Sequence, residues 1–269
     1  METSTNAVKS IGNQSFLVRC LRKLHLAEFA FSLREFLYQF LRVDAIRAAV
    51  AVLRYFYFAV LLRRLRTMDT KTGIPSTVSH NEEVMKSIRG FSVYRSNFLL
   101  YPLSVIRMRK SDPVLSIGPR SEGEILNMMG LGFHNIRALD LISYSPWVDI
   151  GDMHAMPYQD NAFAAVIMGW CLAYSTEQRK AALEAVRVVR DGGLIAVGIS
   201  SMIKERAEKD KDGSPIRSMQ TLTELLNNFQ PHVGHVFFAH DLPPGWEQPI
   251  PSSVPPKNWN LMAIFSVKK

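Results

Sequence analysis

The stretch "PVLSIGPRSEGEILNMMGLGF" at residues 113–133 passes from a short apolar run, through a turn with two glycines, into a helical pattern. Short apolar runs bounded by turn residues are typical of buried strands, so residues 113–118 are predicted to form one. The following helix is predicted to end at its own glycines, which adopt the left-handed conformation at little cost. This strand–turn–helix unit predicts an α/β fold with a mostly parallel sheet.

The alternation of strands and helices continues to the end of the chain. An amphipathic helix is predicted at 175–190, and "DGG" at 191–193 is expected to end it. Further strands are predicted at 136–143, 162–170, 194–200, 235–242 and 260–269. A proline-rich loop, with no helix, separates the last two strands, which predicts a C-terminal antiparallel hairpin on a Rossmann-like sheet.

Open α/β sheets bind ligands beyond the carboxyl ends of their strands, where the first turn of this unit lies. Gly118 allows a tight turn there, and Gly123 lets the next helix approach closely. Asp140 lies 22 residues after Gly118, at the end of the second strand, and its two oxygens can accept both hydroxyls of a ribose. In "GDMH" (151–154), Asp152 can accept from an adenine amine, while the Met153 N–H donates to a ring nitrogen.

Four stretches together resemble a class I S-adenosylmethionine-dependent methyltransferase over about residues 110–269. They are "PVLSIGPRSEGE" (113–124), "IRALDLIS" (136–143), "IGDMHAMPYQDNAFAAVIMGW" (150–170) and "EAVRVVRDGGLIAVGIS" (184–200). The resemblance implies a seven-stranded sheet with a reversed last hairpin, S-adenosylmethionine as cofactor, and methyl transfer as the activity. The later stretches are the more specific, because a glycine turn alone is common in α/β proteins.

The resemblance also implies a role for each candidate site residue. The turn from Gly118 to Gly123 would hold the methionine end of the cofactor, Asp140 the ribose, and Asp152 with Met153 the adenine. Trp170 and Cys171 would line the pocket where methyl donor and acceptor meet. For a hydroxyl acceptor, a general base helps, and His154 and Tyr174 are the nearest candidates along the chain.

The chain departs from the family pattern in its glycine turn. Ser116 stands where the family usually has an acid, Arg120 and Glu122 stand near usual glycines, and Ala164 stands where an acid is frequent. Arg120 can make a charge-assisted bond to the methionine carboxylate, or it can fill the site and block it. The leading hypothesis is methyl transfer to a small-molecule, saccharide or lipid-linked acceptor. The alternative is a catalytically silent scaffold or subunit attached through its N-terminal helices.

The N-terminal part of the chain differs in composition from the rest. Residues 1–14 are predicted to form a flexible tail, and residues 15–66 are predicted to form two or three helices with a break near Asp44. Residues 67–109 are predicted to form a linker and a helical connection. Residues 1–70 hold 11 Lys/Arg against 5 Asp/Glu, which leaves only +2 of the net charge of +8 for the remainder. The basicity therefore belongs to the helical segment.

Arg47 and Arg54 interrupt an otherwise apolar run at 45–62 and, being seven residues apart, share one helix face. A basic stripe on an apolar helix, followed by "RRLR" (63–66), fits a helix lying on a membrane surface. A helical cap packed on the sheet domain, or on a second subunit, is the other interpretation. Nucleic acid is not favoured, because the basic and aromatic residues form a helical stripe rather than a stacking surface.

The remaining features bound the compartment and the chemistry. Cys20 and Cys171 fit neither a disulfide framework nor a zinc cluster, and we see no secretory signal, which together predict a cytoplasmic protein. We find no metal-ligand cluster and no phosphate-binding P-loop motif in the sequence. The sequence leaves the oligomeric state open.

Overall fold

The computed structural model describes residues 31–68, 78, 82, 85, 95–106, 108–201, 219, 221–241 and 259–269. The predicted tail at 1–14, residues 15–30 of the predicted helical segment and most of the predicted linker lie outside the described residues. The same holds for residues 202–218, 220 and 242–258, which include the predicted proline-rich connection. The domain boundaries therefore stay predictions.

The described residues form six α-helices and nine strands. The helices are α1 (31–39), α2 (Asp44–Tyr55), α3 (Asn97–Val105), α4 (Glu122–Gly130), α5 (Gln178–Val188) and α6 (Leu222–Asn227). The strands are β1 (Arg66–Thr67), β2 (Pro113–Ile117), β3 (Asn135–Asp140), β4 (Ile142–Ser143), β5 (Val148–Ile150), β6 (Phe163–Gly169), β7 (Val189–Ser201), β8 (Val233–His240) and β9 (Trp259–Val267).

Seven of the strands form one sheet in the order β5-β3-β2-β6-β7-β9-β8. Neighbouring strands from β5 to β7 run parallel, and β9 runs antiparallel to both β7 and β8. The predicted α/β sheet with a C-terminal antiparallel hairpin is confirmed. Sequence reasoning missed β5, because three residues carry no periodic signal. The prediction for "DGG" was wrong: α5 ends at Val188, and these residues lie within β7.

Both faces of the parallel part of the sheet are buried around β2 and β6, as a parallel sheet requires. Along β2, Leu115 and Ile117 pack on the side of α5 and α6, while Val114 packs on the side of α3. The period of two along a strand produces this division. The carboxyl ends of β2, β3 and β6 are thereby held at one edge by two apolar layers.

The N-terminal segment forms a helical cap on the sheet domain. The predicted break lies at Val43, which is extended, but the helical conformation ends in a π-helical turn at Phe56–Leu61, earlier than Arg66. Arg47 and Arg54 share a face as predicted, yet an outward basic stripe is wrong for both. Arg47 is 2% exposed and donates to Asn127 Oδ1 at 3.0 Å, while Arg54 contacts α4.

Candidate active site

A cleft opens beyond the carboxyl ends of β2, β3 and β6, with about 700 Å³ of empty space when its open mouth is included. Eight of the nine predicted site residues line it: Gly118, Arg120, Asp140, Asp152, Met153, His154, Trp170 and Tyr174. The ninth, Gly123, lies in the first turn of α4 and is not part of the wall. Cys171 lines the cleft as well, together with Arg95, which sequence reasoning missed.

The turn after β2 needs its first glycine for two reasons. Gly118 has a φ of +67°, and a Cβ at this position would lie 2.9 Å from Cys171 Cβ. Both the left-handed backbone and the close approach of Cys171, which follows β6, exclude a side chain at position 118. Arg120 is also left-handed, at a φ of 60°, which is strained for a residue with a Cβ. Its N–H donates to Asp140 Oδ2 at 3.0 Å, so the turn is fastened to the end of β3.

Asp140 is a buried carboxyl at the edge of the cleft, 6% exposed. Besides Arg120, the N–H of Ile142 donates to its Oδ1 at 3.4 Å. Burial raises the pKa of Asp140 to about 6, and these backbone donors oppose the rise. A carboxylate offers about four acceptor positions, so two backbone bonds leave capacity for the hydroxyls of a diol.

Two guanidinium groups face the cleft from opposite segments. Arg95 lies with its guanidinium carbon 5.5 Å from the centre of the Trp170 ring, and Arg120 comes from the glycine turn. Partial burial lowers the pKa of Arg95, an effect that Tyr174 opposes and Arg120 reinforces. Within the described part of the chain, neither guanidinium forms an ion pair. The pair provides donors for an anionic group such as a carboxylate.

Asp152, His154 and Ser175 form a chain of short contacts. His154 Nδ1 lies 2.5 Å from Asp152 Oδ1, and His154 Nε2 lies 2.5 Å from Ser175 Oγ, which also accepts the Glu177 N–H. An ionised Asp152 requires a proton on Nδ1, so Nε2 is then the acceptor and Ser175 the donor. Since both ring nitrogens are engaged and the ring is 3% exposed, this arrangement suits His154 for orienting Asp152. Its role as a base stays a prediction.

A second buried acid lies behind the wall of the cleft. The Ser116 hydroxyl donates to Glu124 Oε1 and the Ser96 hydroxyl to Oε2, each at 2.5 Å. Glu124 is 4% exposed, and burial raises its pKa. A Cβ on Gly169, which lines the cleft, would lie 3.6 Å from Oε2. Ser116, which stands where the family pattern has an acid, is thus in direct contact with a carboxyl that α4 contributes.

Trp170 and Tyr174 close the side of the cleft at the end of β6. Trp170 has a left-handed φ of 64°, and its indole N–H donates to Asn260 Oδ1 at 3.2 Å. A Cβ on Gly198 would lie 3.3 Å from its ring, so the indole packs directly on β7. Tyr174 ends the 3-10 turn Leu172–Tyr174. Among the described residues, no group of three His, Cys, Asp or Glu is placed to hold a metal ion.

The comparisons with known proteins agree with this fold. Residues 133–197 match the model of a family described as the methyltransferase domain. The 1,6-didemethyltoxoflavin-N1-methyltransferase of Burkholderia thailandensis, solved with 1,6-didemethyltoxoflavin and S-adenosylhomocysteine, is 14% identical with a TM-score of 0.50. The similarity covers 76% of this chain and 95% of that chain. No curated protein matches the sequence.

Two further solved structures are similar to this chain, with lower TM-scores. A Haloferax volcanii methyltransferase, solved in complex with the Trm112 methyltransferase activator, is 13% identical with a TM-score of 0.49, over 71% of this chain and 96% of that chain. A methyltransferase of Methanosarcina mazei is 14% identical with a TM-score of 0.47, over 62% and 97%. The chain has the class I S-adenosylmethionine-dependent methyltransferase fold, and its sequence is a divergent one.

Proposed function

We propose that the protein transfers a methyl group from S-adenosylmethionine to an acceptor bound in the same cleft. The observation that carries the proposal is the convergence of Asp140, Asp152 and the Gly118 turn on one cleft at the strand ends. The family match and the shared fold support S-adenosylmethionine as the cofactor. A scaffold has no physical need for two acids at this edge of the sheet.

The donor set of the cleft fits each part of the cofactor. The Asp140 carboxyl suits the ribose diol, and Asp152, oriented by His154, suits the adenine amine. Arg95 and Arg120 suit the methionine carboxylate, and Glu124, held behind Gly169, suits its ammonium group. When bound, the cofactor supplies a methyl group on a positively charged sulfur, which is already activated for transfer.

The remaining work of the protein is to align the acceptor and exclude water. Tyr174 and Trp170 line the cleft beside the Cys171 thiol, whose pKa is raised by burial and by the nearby carboxyls. Burial makes that thiol a neutral wall rather than a nucleophile. Tyr174 is the group we propose to hold a hydroxyl acceptor. The acceptor class is a small molecule, a saccharide or a lipid-linked compound.

Ultraviolet cross-linking of S-adenosylmethionine labelled on its methyl group tests the assignment of the cleft. We expect label in the peptide that carries Trp170 to Tyr174, competed by unlabelled S-adenosylhomocysteine and lost in Asp140→Ala. Label that is not competed, or that maps elsewhere, would remove the proposal. Specific labelling with no transfer to small-molecule, saccharide or lipid extracts would favour the silent scaffold.

We also propose that the N-terminal helices attach the protein to a surface outside the chain. Fourteen of the large apolar side chains that are at least 37% exposed lie from Phe31 to Leu62, whereas Phe237 is the one exposed residue of this kind beyond Val105 among the described residues. Scattered apolar side chains are normal on a protein surface, but a contiguous set marks an interaction site.

A further inference from the structure

Helix α2 is amphipathic with its two sides reversed relative to an ordinary surface helix. The side that contacts the domain carries Arg47 and Arg54. Arg54 pairs with Glu122 of α4, while Arg47 pairs with Asp44 of its own helix and donates to Asn127 of α4. The opposite side, with the π-helical turn that continues it, is apolar and faces outward. We define the outward face as Ile46, Leu53, Phe56, Tyr57, Val60 and Leu61, which are between 39% and 69% exposed.

These residues follow helical spacing, so they form one continuous stripe rather than scattered side chains. The domain cannot cover this stripe without releasing the arginines from α4. Each large apolar side chain left in water forgoes the favourable free energy of burial, which favours an external partner for the face. Among the described residues, no helix is long and apolar enough to span a membrane.

The charges that follow the outward face are of one sign. Arg63, Arg64 and Arg66 come directly after the stripe and are exposed, whereas the one acid of α2, Asp44, lies at the other end of the helix and pairs with Arg47. In a two-fold dimer built on this face, both copies would bring the arginine cluster, and the one acid of each α2 is already paired within its own copy. An anionic lipid surface complements both the apolar outward face and the arginines that follow it. Its acyl chains can contact the apolar side chains, and its negative headgroups can contact the arginines.

We propose that the outward face and the following arginines dock the protein on the surface of an anionic bilayer. The inference deepens the attachment role proposed above and does not depend on methyl transfer. Phe56 and Tyr57 enter the headgroup region with the flanking leucines, and Arg63 and Arg64 contact the headgroups. The cleft domain, joined through Arg54, stays on the aqueous side.

Co-flotation of the full chain with phosphatidylcholine vesicles, with and without phosphatidylglycerol, tests this docking. We expect binding to the anionic vesicles that weakens with salt, and a fall of about tenfold or more in the double variant L53E/L61E. R63Q/R64Q should lose binding to anionic vesicles while leaving weak binding to neutral vesicles unchanged. Phe237→Glu, at a residue 48% exposed on β8, is the matched control and should bind like the wild type.

The other outcomes overturn the proposal in different ways. Failure to float, together with a dimer that L53E/L61E dissociates in light scattering, would assign the face to a second copy and leave attachment standing. Failure to float as a monomer would remove both the docking and the attachment role. Flotation of L53E/L61E equal to the wild type would place lipid binding elsewhere in the chain. Unfolding midpoints of the variants, measured in urea, establish that each one is folded.

Discussion

The Glu122 carboxylate is paired with Arg54 through two N–H···O bonds of 2.5 and 2.9 Å, which join the N-terminal cap to the first residue of α4. The Glu122 side chain is fully buried, and the guanidinium also stacks 3.6 Å from the centre of the Trp147 ring. Because α4 begins directly after the glycine turn of the cleft, this pair connects the inner side of the cap to that turn.

Arg54→Met should destabilise the protein by about 3 kcal/mol, because it leaves a buried carboxylate without its cation. Urea unfolding measures the change. Lys180→Met is the control, since Lys180 pairs with Glu177 on the surface and should contribute no more than about 1 kcal/mol. The double variant R54M/E122Q should recover part of the loss. Equal losses for Arg54→Met and Lys180→Met would show that the pair does not hold the cap.

Asp140→Asn should make the protein more stable at neutral pH. Burial holds the pKa of Asp140 at about 6 in the folded state, against about 3.9 in the unfolded chain. The folded state therefore binds more protons between these values, and stability falls as pH rises through this window. Removing the charge should therefore raise the free energy of unfolding by about 2 kcal/mol above pH 7 and leave it unchanged near pH 4. The figure of about 2 kcal/mol allows for relaxation of the structure around the buried carboxylate.

Unfolding free energies at both pH values measure this effect. Asp149→Asn is the control, because Asp149 is half-buried on the neighbouring strand β5 and accepts the Tyr158 hydroxyl at 2.9 Å. It should bring no comparable gain. A stability gain for Asp140→Asn that is the same at pH 4 and pH 7 would contradict the assignment.

Glu124→Gln should weaken binding of S-adenosylhomocysteine about tenfold or more and leave 5′-methylthioadenosine unaffected. The second ligand lacks the amino-acid end, so it tests whether the buried carboxyl acts on the ammonium group or only supports the fold. Glu184→Gln, which removes an acid paired with Arg187 on α5, is the matched control. Parallel losses for both ligands would reduce Glu124 to a structural role.

Gly118→Ala should cost more stability than Gly192→Ala, although both glycines have nearly the same φ, +67° and +68°. Each substitution adds left-handed strain of about 1 kcal/mol. Only a Cβ at position 118 also meets Cys171 Cβ, at 2.9 Å, while one at 192 has no atom within 4 Å. The difference in unfolding free energy between the two variants measures that clash, and a difference near zero would contradict it.

Much of the fold was predictable because it depends on local pattern. The apolar runs of β2, β3 and β6 and the lack of a helix before β9 are visible in the sequence and fix the topology. Helical spacing also showed that Arg47 and Arg54 share a face. It did not show which face points inward, since an apolar face is normally the buried one. The inward partner, α4, lies about 70 residues away in sequence.

Some residues of the candidate site could likewise be predicted from the sequence, and others could not. Strand-end residues such as Asp140 and Trp170 could be located because β-strands end at readable turns. Arg95 and the Ser96–Glu124 contact could not, because the latter joins residues 28 positions apart and follows no period. The contact between Ser116 and Glu124 is a tertiary arrangement that spacing alone does not reveal.

Calorimetric titration of S-adenosylhomocysteine into the full chain, with Asp140→Ala and Asp149→Ala as a matched pair, measures whether the cleft binds the cofactor. We expect micromolar binding that is lost or weakened at least about tenfold in Asp140→Ala and retained in Asp149→Ala. No binding up to millimolar ligand by the folded wild-type protein would contradict it. In that case the cleft would have kept the geometry of the fold without its cofactor.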